Sequence, residues 1–252
     1  MLRGTIGEIC DLKVSCIIPV YNGERFLAES IESVLAQTVP PQQVIVVDDG
    51  STDATAQIIG RFGDCVEHLT QSNQGPAAAR NAGLRRAVGD FIAFQDSDDL
   101  WLPEKLEHQL RCLLDDEAAL GCICLVSNFW EEELRAEAEA AQSTRHVQAM
   151  PGYVFQAFLA RREAFDVVGR LDQSLSVAED VDWFNRARTA GHRIGLVEQT
   201  LVRRRYHRDN LSRSIAVSAS AQDAMLEVVM RNLQRKRNAP QGPQEPADVQ
   251  PG

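Results

Sequence analysis

Three carboxylates fall within four residues at Asp96-Ser97-Asp98-Asp99, directly behind the apolar run Phe91-Ile92-Ala93-Phe94. Carboxylates this close repel one another, so such a run commonly holds a cation. Mg²⁺ and Mn²⁺ favour oxygen ligands and bridge one or two carboxylates to the phosphates of a substrate. A solvated acidic turn leading into a helix that opens at Pro103 fits the same residues, and the cluster alone does not separate the two readings. A calcium loop fits poorly. Glu107 stands twelfth from Asp96, but the sixth position is Trp101, where that loop requires glycine.

Other polar clusters sit in comparable places. Pro19-Val20-Tyr21-Asn22-Gly23 ends one apolar run, and Asp48-Asp49-Gly50-Ser51-Thr52-Asp53 ends another. The second is also an ordinary Asp-Gly turn in which Ser51, Thr52 or Asp53 caps the next helix. Gly75 to Gly83 is a small-residue helix carrying Arg80, suited to close packing on a sheet, with the arginine turned either to solvent or to the rim. Glu179-Asp180 alone reads as an acidic helix start favoured by the helix dipole. Trp101 and Trp183 fit the wall of a sugar site or the core equally.

The elements that must position these groups follow from periodicity. Val14–Pro19, Val44–Val47, Val66–Leu69 and Phe91–Phe94 read as short buried strands. Between them, helical spacing runs from Glu24 through Leu35, from Ala54 to Phe62 and from Pro76 to Ala87, with Pro103–Leu114 after the fourth strand. This alternation predicts an α/β fold with a Rossmann-like sheet covered by helices on both faces. Ligands of such sheets bind beyond the carboxyl ends of the strands, so three of the polar clusters share one rim. The second half is less regular: strands are expected at Gly121–Val126 and Phe155–Ala160, and helices at Glu131–Ala141, Val181–Ala190 and Ala216–Gln234. The tail from Ala239 to Gly252 is Pro- and Gln-rich and is expected to be disordered.

The chain has 252 residues, 44% hydrophobic and 25% charged, enough for one large α/β domain. Its net charge of −10 argues against a dedicated nucleic-acid binder, which needs a basic surface. The six cysteines, Cys10, Cys16, Cys65, Cys112, Cys122 and Cys124, form no CxxC pair and read as reduced core thiols. No apolar stretch of membrane-spanning length and no signal-peptide pattern is present, so a cytoplasmic protein is expected, with peripheral attachment to the inner membrane face compatible.

Five of these elements together resemble family 2 glycosyltransferases, the inverting, nucleotide-sugar-dependent enzymes of GT-A fold. They are Pro19-Val20-Tyr21-Asn22, Val47 to Asp53, Ala79-Arg80-Asn81-Ala82-Gly83, Asp96-Ser97-Asp98-Asp99 and Glu179-Asp180, in the family's order, with the likeness running from about Val14 to Ser214. The resemblance implies a GT-A sheet, mixed at its centre. It divides the chain into an extension (1–12), a nucleotide-sugar-binding half (13–115), an acceptor and catalytic half (116–215), a helix (216–238) and a tail (239–252). It further implies that Pro19, Tyr21, Asn22, Asp49 and Arg80 form the nucleoside pocket and that Asp96 supports the ribose or the metal shell. Asp98 would ligate Mn²⁺ or Mg²⁺, with His207 a further ligand, and Arg205 would belong to a segment closing over the diphosphate. Asp180, with Glu179 beside it, matches the catalytic base. The donor implied is a nucleotide sugar, most simply a UDP-sugar; the acceptor is a glycan, lipid-linked glycan, peptide or small molecule. A sugar nucleotidyltransferase is disfavoured, because the turn after the first strand lacks a Gly-rich phosphate loop with a Lys or Arg. A non-catalytic relative is disfavoured by the complete carboxylate set.

Overall fold

The computed structural model describes residues 11–141, 149–175 and 177–210, together with Ile9, Val228, Met230, Arg231, Gln234 and Arg235. Nine strands make one sheet: β1 (Val14–Val20), β2 (Gln43–Asp48), β3 (Glu67–Thr70), β4 (Phe91–Phe94), β5 (Leu100–Trp101), β6 (Ala119–Trp130), β7 (Met150–Pro151), β8 (Phe158–Arg161) and β9 (Arg193–Tyr206). Their order is β3-β2-β1-β4-β8-β6-β9-β5, with β7 paired to β6. The strands β1 to β4 pair in parallel, β8 is antiparallel to both β4 and β6, and β6 and β9 are parallel. Six strands therefore run the same way, and β1, β2, β3, β4, β6 and β9 all end on one rim.

The first half forms as its periodicity predicts. All seven residues of β1 are buried, as a parallel strand covered on both faces requires. On one face lie α1 (Leu27–Leu35) and α4 (Lys105–Asp115), whose Leu27, Ile31, Leu106 and Leu110 join Cys16, Ile18 and Val46. The other face carries α3 (Pro76–Arg86) and α7 (Glu179–Thr189), whose Ala77, Ala79, Trp183 and Phe184 pack with Ile17, Ile45, Phe94 and Ile123. Short helices α2 (Thr55–Gly60), α5 (Arg135–Ala141) and α6 (Ala164–Val167) complete the set.

Several expectations change. The longest strand, β9, has no counterpart in the sequence reading, and β6 extends four residues beyond Val126 to Trp130. Phe155–Ala157 is a 3₁₀ turn, so only Phe158–Arg161 pairs as a strand. The expected helix over Glu131–Ala141 is a 3₁₀ turn at Glu132–Leu134 followed by α5. Trp101 and Trp183 are core residues whose indole N–H groups donate to the carbonyls of Gln156 and Gly169. Cys16, Cys122 and Cys124 are buried thiols, whereas Cys65 is exposed. Within the expected C-terminal helix, the described residues Val228, Met230, Arg231 and Gln234 are helical; Cys10, the rest of that helix and the tail lie outside the described residues.

The small residues of α3 have a measurable purpose. A Cβ on Gly83 would meet Ile17 Cγ2 at 2.4 Å, so this helix lies directly on β1. Gly83→Ala is expected to lower stability by about 1–3 kcal/mol despite its better helix propensity. Gly60→Ala, where an added Cβ meets nothing within 4 Å, is expected to raise it by about 0.5 kcal/mol. Urea unfolding of the two variants checks both signs.

Candidate functional site

The rim begins with two interlocked turns. Asn22 follows β1 at φ 51°, a left-handed conformation that asparagine tolerates. Its Oδ1 accepts the Thr52 N–H at 2.8 Å, and its own N–H donates to Ser51 Oγ at 2.9 Å. Glu24 N–H donates to Asp53 Oδ2 and Ala54 N–H to Glu24 Oε2, each at 3.0 Å. Burial alone would raise the Asp53 carboxyl, but hydrogen bonds from Thr55 and from the backbone of Glu24 and Thr55 outweigh it and hold the group below its ordinary range. Pro19 is buried within β1, and Tyr21 stands 52% exposed at the lip.

Asp49 ties the next loop in place. Its Oδ1 accepts from Gln71 Nε2 at 2.7 Å and from the Gln74 N–H at 2.9 Å, and its Oδ2 accepts from the Gly75 N–H at 2.8 Å. A carboxylate has about four acceptor positions, so one remains for a ligand N–H. Gly75 itself has φ 87°, which lets the loop turn directly into α3.

Arg80 projects from α3 beneath the rim and is buried. It donates through Nη2 to Asp96 Oδ1 at 2.6 Å and through Nη1 to Glu179 Oε1, while its Nε has no partner among the described residues. Burial works against its charge, but Asp96, Glu179 and Asp180 together raise its pKa. One guanidinium thus joins the β4 loop to the start of α7.

The acidic run is sorted by its partners. Burial raises the Asp96 carboxyl and Arg80 pulls it back. Asp99 is buried, accepts the Arg205 N–H at 2.8 Å and Gln156 Nε2 at 3.1 Å, and is pushed well above the ordinary range, first by burial and then by Asp98 and Asp96. Asp98 has a half-exposed side chain whose Oδ2 lies 3.0 Å from His207 Nε2 and accepts Asn210 Nδ2 at 2.9 Å. The Asp209 N–H donates to His207 Nδ1 at 3.2 Å, which turns Nε2 toward Asp98. One carboxylate oxygen and one imidazole nitrogen suit a cation whose remaining positions are filled by phosphate oxygens and water. Among the described residues no group of three or more His, Cys, Asp or Glu converges as a complete metal cage. Two protein ligands fit an ion shared with a bound diphosphate. Glu107, the twelfth residue of the discounted calcium loop, pairs instead with Arg111 and Thr38.

Arg205 is placed differently from its neighbours. Its buried guanidinium reaches Glu131 at 2.5 Å, Glu29 at 2.6 Å and the Asp98 carbonyl at 2.8 Å, between the rings of Phe26 and Phe129. It braces the acidic loop and does not join the residues lining the nucleoside turns. Glu29 and Glu131 carried no signal in the sequence, because each sits among other glutamates and more than 70 residues from Arg205.

Asp180 lies in the first turn of α7, after Ala178 in the left-handed region at φ 60°. Its Oδ1 accepts the Val181 N–H at 2.7 Å. Burial, then the neighbouring Glu179, raises its carboxyl to about 7. A carboxylate tuned near neutrality is suited to taking a proton at physiological pH.

Comparisons with known proteins give the family and the fold. A family model described as glycosyl transferase family 2 matches residues 15–170. An uncharacterized glycosyltransferase of Haemophilus influenzae is 44% identical over 111 residues, covering 42% of this chain and 44% of that protein. The putative teichuronic acid biosynthesis glycosyltransferase TuaG of Bacillus subtilis is 40% identical over 112 residues, covering 43% and 44%. An uncharacterized glycosyltransferase of Rickettsia felis is 47% identical over 103 residues, 40% of this chain but 17% of that protein. The chain thus spans less than half the length of these relatives. Among solved structures, S. aureus TarS 1-349 in complex with UDP-GlcNAc superposes with a TM-score of 0.72 at 22% identity, covering 92% of this chain and 68% of that one. The fold is therefore of GT-A type.

The raised Asp180 pKa has a stability consequence. A carboxyl that binds its proton more tightly when folded favours the folded state fully below the unfolded pKa, and that contribution is lost as pH rises from about 4 through about 7. Asp180→Asn removes the ionisable group. The variant is expected to be more stable than the wild type at pH 8, by on the order of 1 kcal/mol once solvent screening is allowed for. The difference should vanish near pH 4. Thermal melts of both proteins across this range check the trend.

Proposed function

The chain belongs to glycosyl transferase family 2, and we propose that it transfers a sugar from a nucleotide diphosphate donor to an acceptor hydroxyl with inversion, using Asp180 as the base. The observation that carries this reading is the separation of two kinds of acidic group. Asp98 Oδ2 lies 3.0 Å from His207 Nε2, a pair suited to a cation, while Asp180, raised to about 7, follows Glu179, the partner of Arg80. Direct displacement at an anomeric carbon needs both: a base for the acceptor proton and charge stabilisation for the departing nucleoside diphosphate.

Asp98 and His207 would hold Mn²⁺ or Mg²⁺, which when bound supplies Lewis-acid stabilisation of the diphosphate. Asp180 takes the proton of the attacking hydroxyl as the new C–O bond forms and the bond to the diphosphate oxygen breaks. Glu179 keeps Arg80 in place, and Arg80 in turn holds Asp96 beside the donor. Tyr21, Asn22, Asp49 and Pro19 shape the nucleoside pocket, and the open acceptor position on Asp49 suits the imide N–H of uracil. The UDP-GlcNAc named for TarS supports a UDP-sugar donor. The acceptor is a glycan, lipid-linked glycan, peptide or small molecule. Among the described residues, no helix is long and apolar enough to cross a membrane. Nucleotidyl transfer is disfavoured because the β1 turn has no Gly-rich phosphate loop.

Two measurements test the proposal. Donor consumption should fall to background in EDTA and return with Mn²⁺ or Mg²⁺, and Asp98→Asn should abolish that return; metal-independent turnover would overturn the role of Asp98. Asp180→Asn should lower transfer by about 10²–10⁴-fold while UDP still binds, and the wild-type kcat/KM should decline below about pH 7. Surviving transfer in that variant would remove Asp180 as the base.

A further inference from the structure

The carboxyl ends of β6 and β9 carry a group that no step above uses. Trp130 and Tyr206 are register partners, and their rings stack at 5.2 Å between centroids with planes 21° apart. Both rings are only half-buried. Side chains alternate along a strand, so Arg204 shares the face of Tyr206, with its guanidinium 5.5 Å from that ring. Arg205 and Arg203 lie on the opposite face, each against Phe129. The Arg204 side chain makes no hydrogen bond or ion pair among the described residues, and the N–H of the next residue, Arg205, donates to Asp99 Oδ1 at 2.8 Å. The platform therefore stands on the rim at the ends of β6 and β9, beside the acidic loop. Tyr206 is also bonded in sequence to His207, the neighbour of Asp98.

The strand order says what would lie there. The nucleoside turns end β1 and β2, and the acidic loop ends β4; β6 and β9 stand beyond β4, on the side away from β3. A donor laid from the nucleoside turns to Asp98 has its diphosphate at the middle of the rim. The far side is left for the other substrate. Flat aromatic faces that stay half-buried suit the apolar faces of sugar rings, and an arginine beside them with no ion pair among the described residues suits an anionic group.

We propose that Trp130, Tyr206 and Arg204 form the acceptor platform, and that the acceptor presents there a sugar ring bearing an anionic substituent, a phosphate or a carboxylate. The assignment rests on the transferase reading above.

Trp130 makes the test direct. The chain has three tryptophans, and Trp101 and Trp183 are buried, so acrylamide quenching of tryptophan fluorescence reports chiefly on Trp130. The full chain is loaded with UDP and Mn²⁺, and UDP binding is measured separately by thermal shift. Three probes are then titrated: cellobiose, a glucuronate-containing disaccharide and glucose 6-phosphate. At least one anionic probe should protect Trp130 at a concentration tenfold or more below that of cellobiose, and which one does so separates carboxylate from phosphate. Arg204→Gln, at a partly exposed position, should erase this tenfold preference, and Tyr206→Leu should weaken protection by every probe. Equal protection by cellobiose, no protection at all, or an unchanged preference in Arg204→Gln would overturn the platform. Failure of UDP to bind the wild type would instead overturn the transferase reading.

Discussion

The buried guanidinium of Arg80 is the constraint on which the site depends. An arginine does not shed its charge on burial, so it must be matched where it lies. Its partners come from 16 and 99 residues further along the chain, at Asp96 and Glu179. The match is possible only because α3 is built from Ala and Gly on its inner side and sits directly on β1. Removing both carboxylates would leave a buried charge unpaired, which costs several kcal/mol. The loop after β4 and the first turn of α7 are therefore held at a fixed separation. Glu179 is consumed by this pairing, which leaves Asp180 as the carboxyl whose proton is free to move.

Arg205 repeats the device on the other side of the acidic run. It is clamped by Glu29 and Glu131, and it fixes the loop through the Asp98 carbonyl and, with its backbone N–H, through the Asp99 carboxylate. Three adjacent acids thus have three separate fates. Asp96 answers Arg80, Asp99 is a buried brace, and only the Asp98 side chain is left facing His207 and Asn210. The crowding that made the run ambiguous is relieved by giving each carboxyl a different partner.

Much of the scaffold was legible because β1, β2 and β4 are continuous apolar runs that end in polar turns, the mark of a buried parallel sheet. β9 escaped notice because its apolar residues come in two short pieces, Ile194 to Val197 and Leu201-Val202, split by Glu198-Gln199-Thr200 and followed by the basic run Arg203-Arg204-Arg205. Asn22, Asp49 and Asp98 lie in the turns after β1, β2 and β4, where the polar clusters behind apolar runs put them, whereas Arg80, on a helix, could have turned to solvent or to the rim. The pairing of His207 with Asp98 came only through family resemblance, since 109 residues separate them. The burial of Arg205 was not readable at all, because nothing local to it foretells Glu29 or Glu131. Trp101 and Trp183 show the opposite limit: residue type allowed a sugar wall, and packing made them core.

The strand period also resolves an apparent conflict of charge. A chain of net charge −10 with acids gathered at its centre is a poor attractor of an anionic donor. What matters is the field at the rim, and there the three consecutive arginines of β9 do not act as one patch. Alternation puts Arg204 on the face of Tyr206, while Arg203 and Arg205 turn to the other face, where Arg205 braces the acidic loop and is neutralised by Glu29 and Glu131. Arg204 is left at the rim with no ion pair among the described residues. It acts at short range, where salt screens little, and so offsets the local carboxylates without making the whole surface basic. Overall acidity and a positively lined approach are then compatible, because the sheet, not the composition, decides which charges meet the substrate.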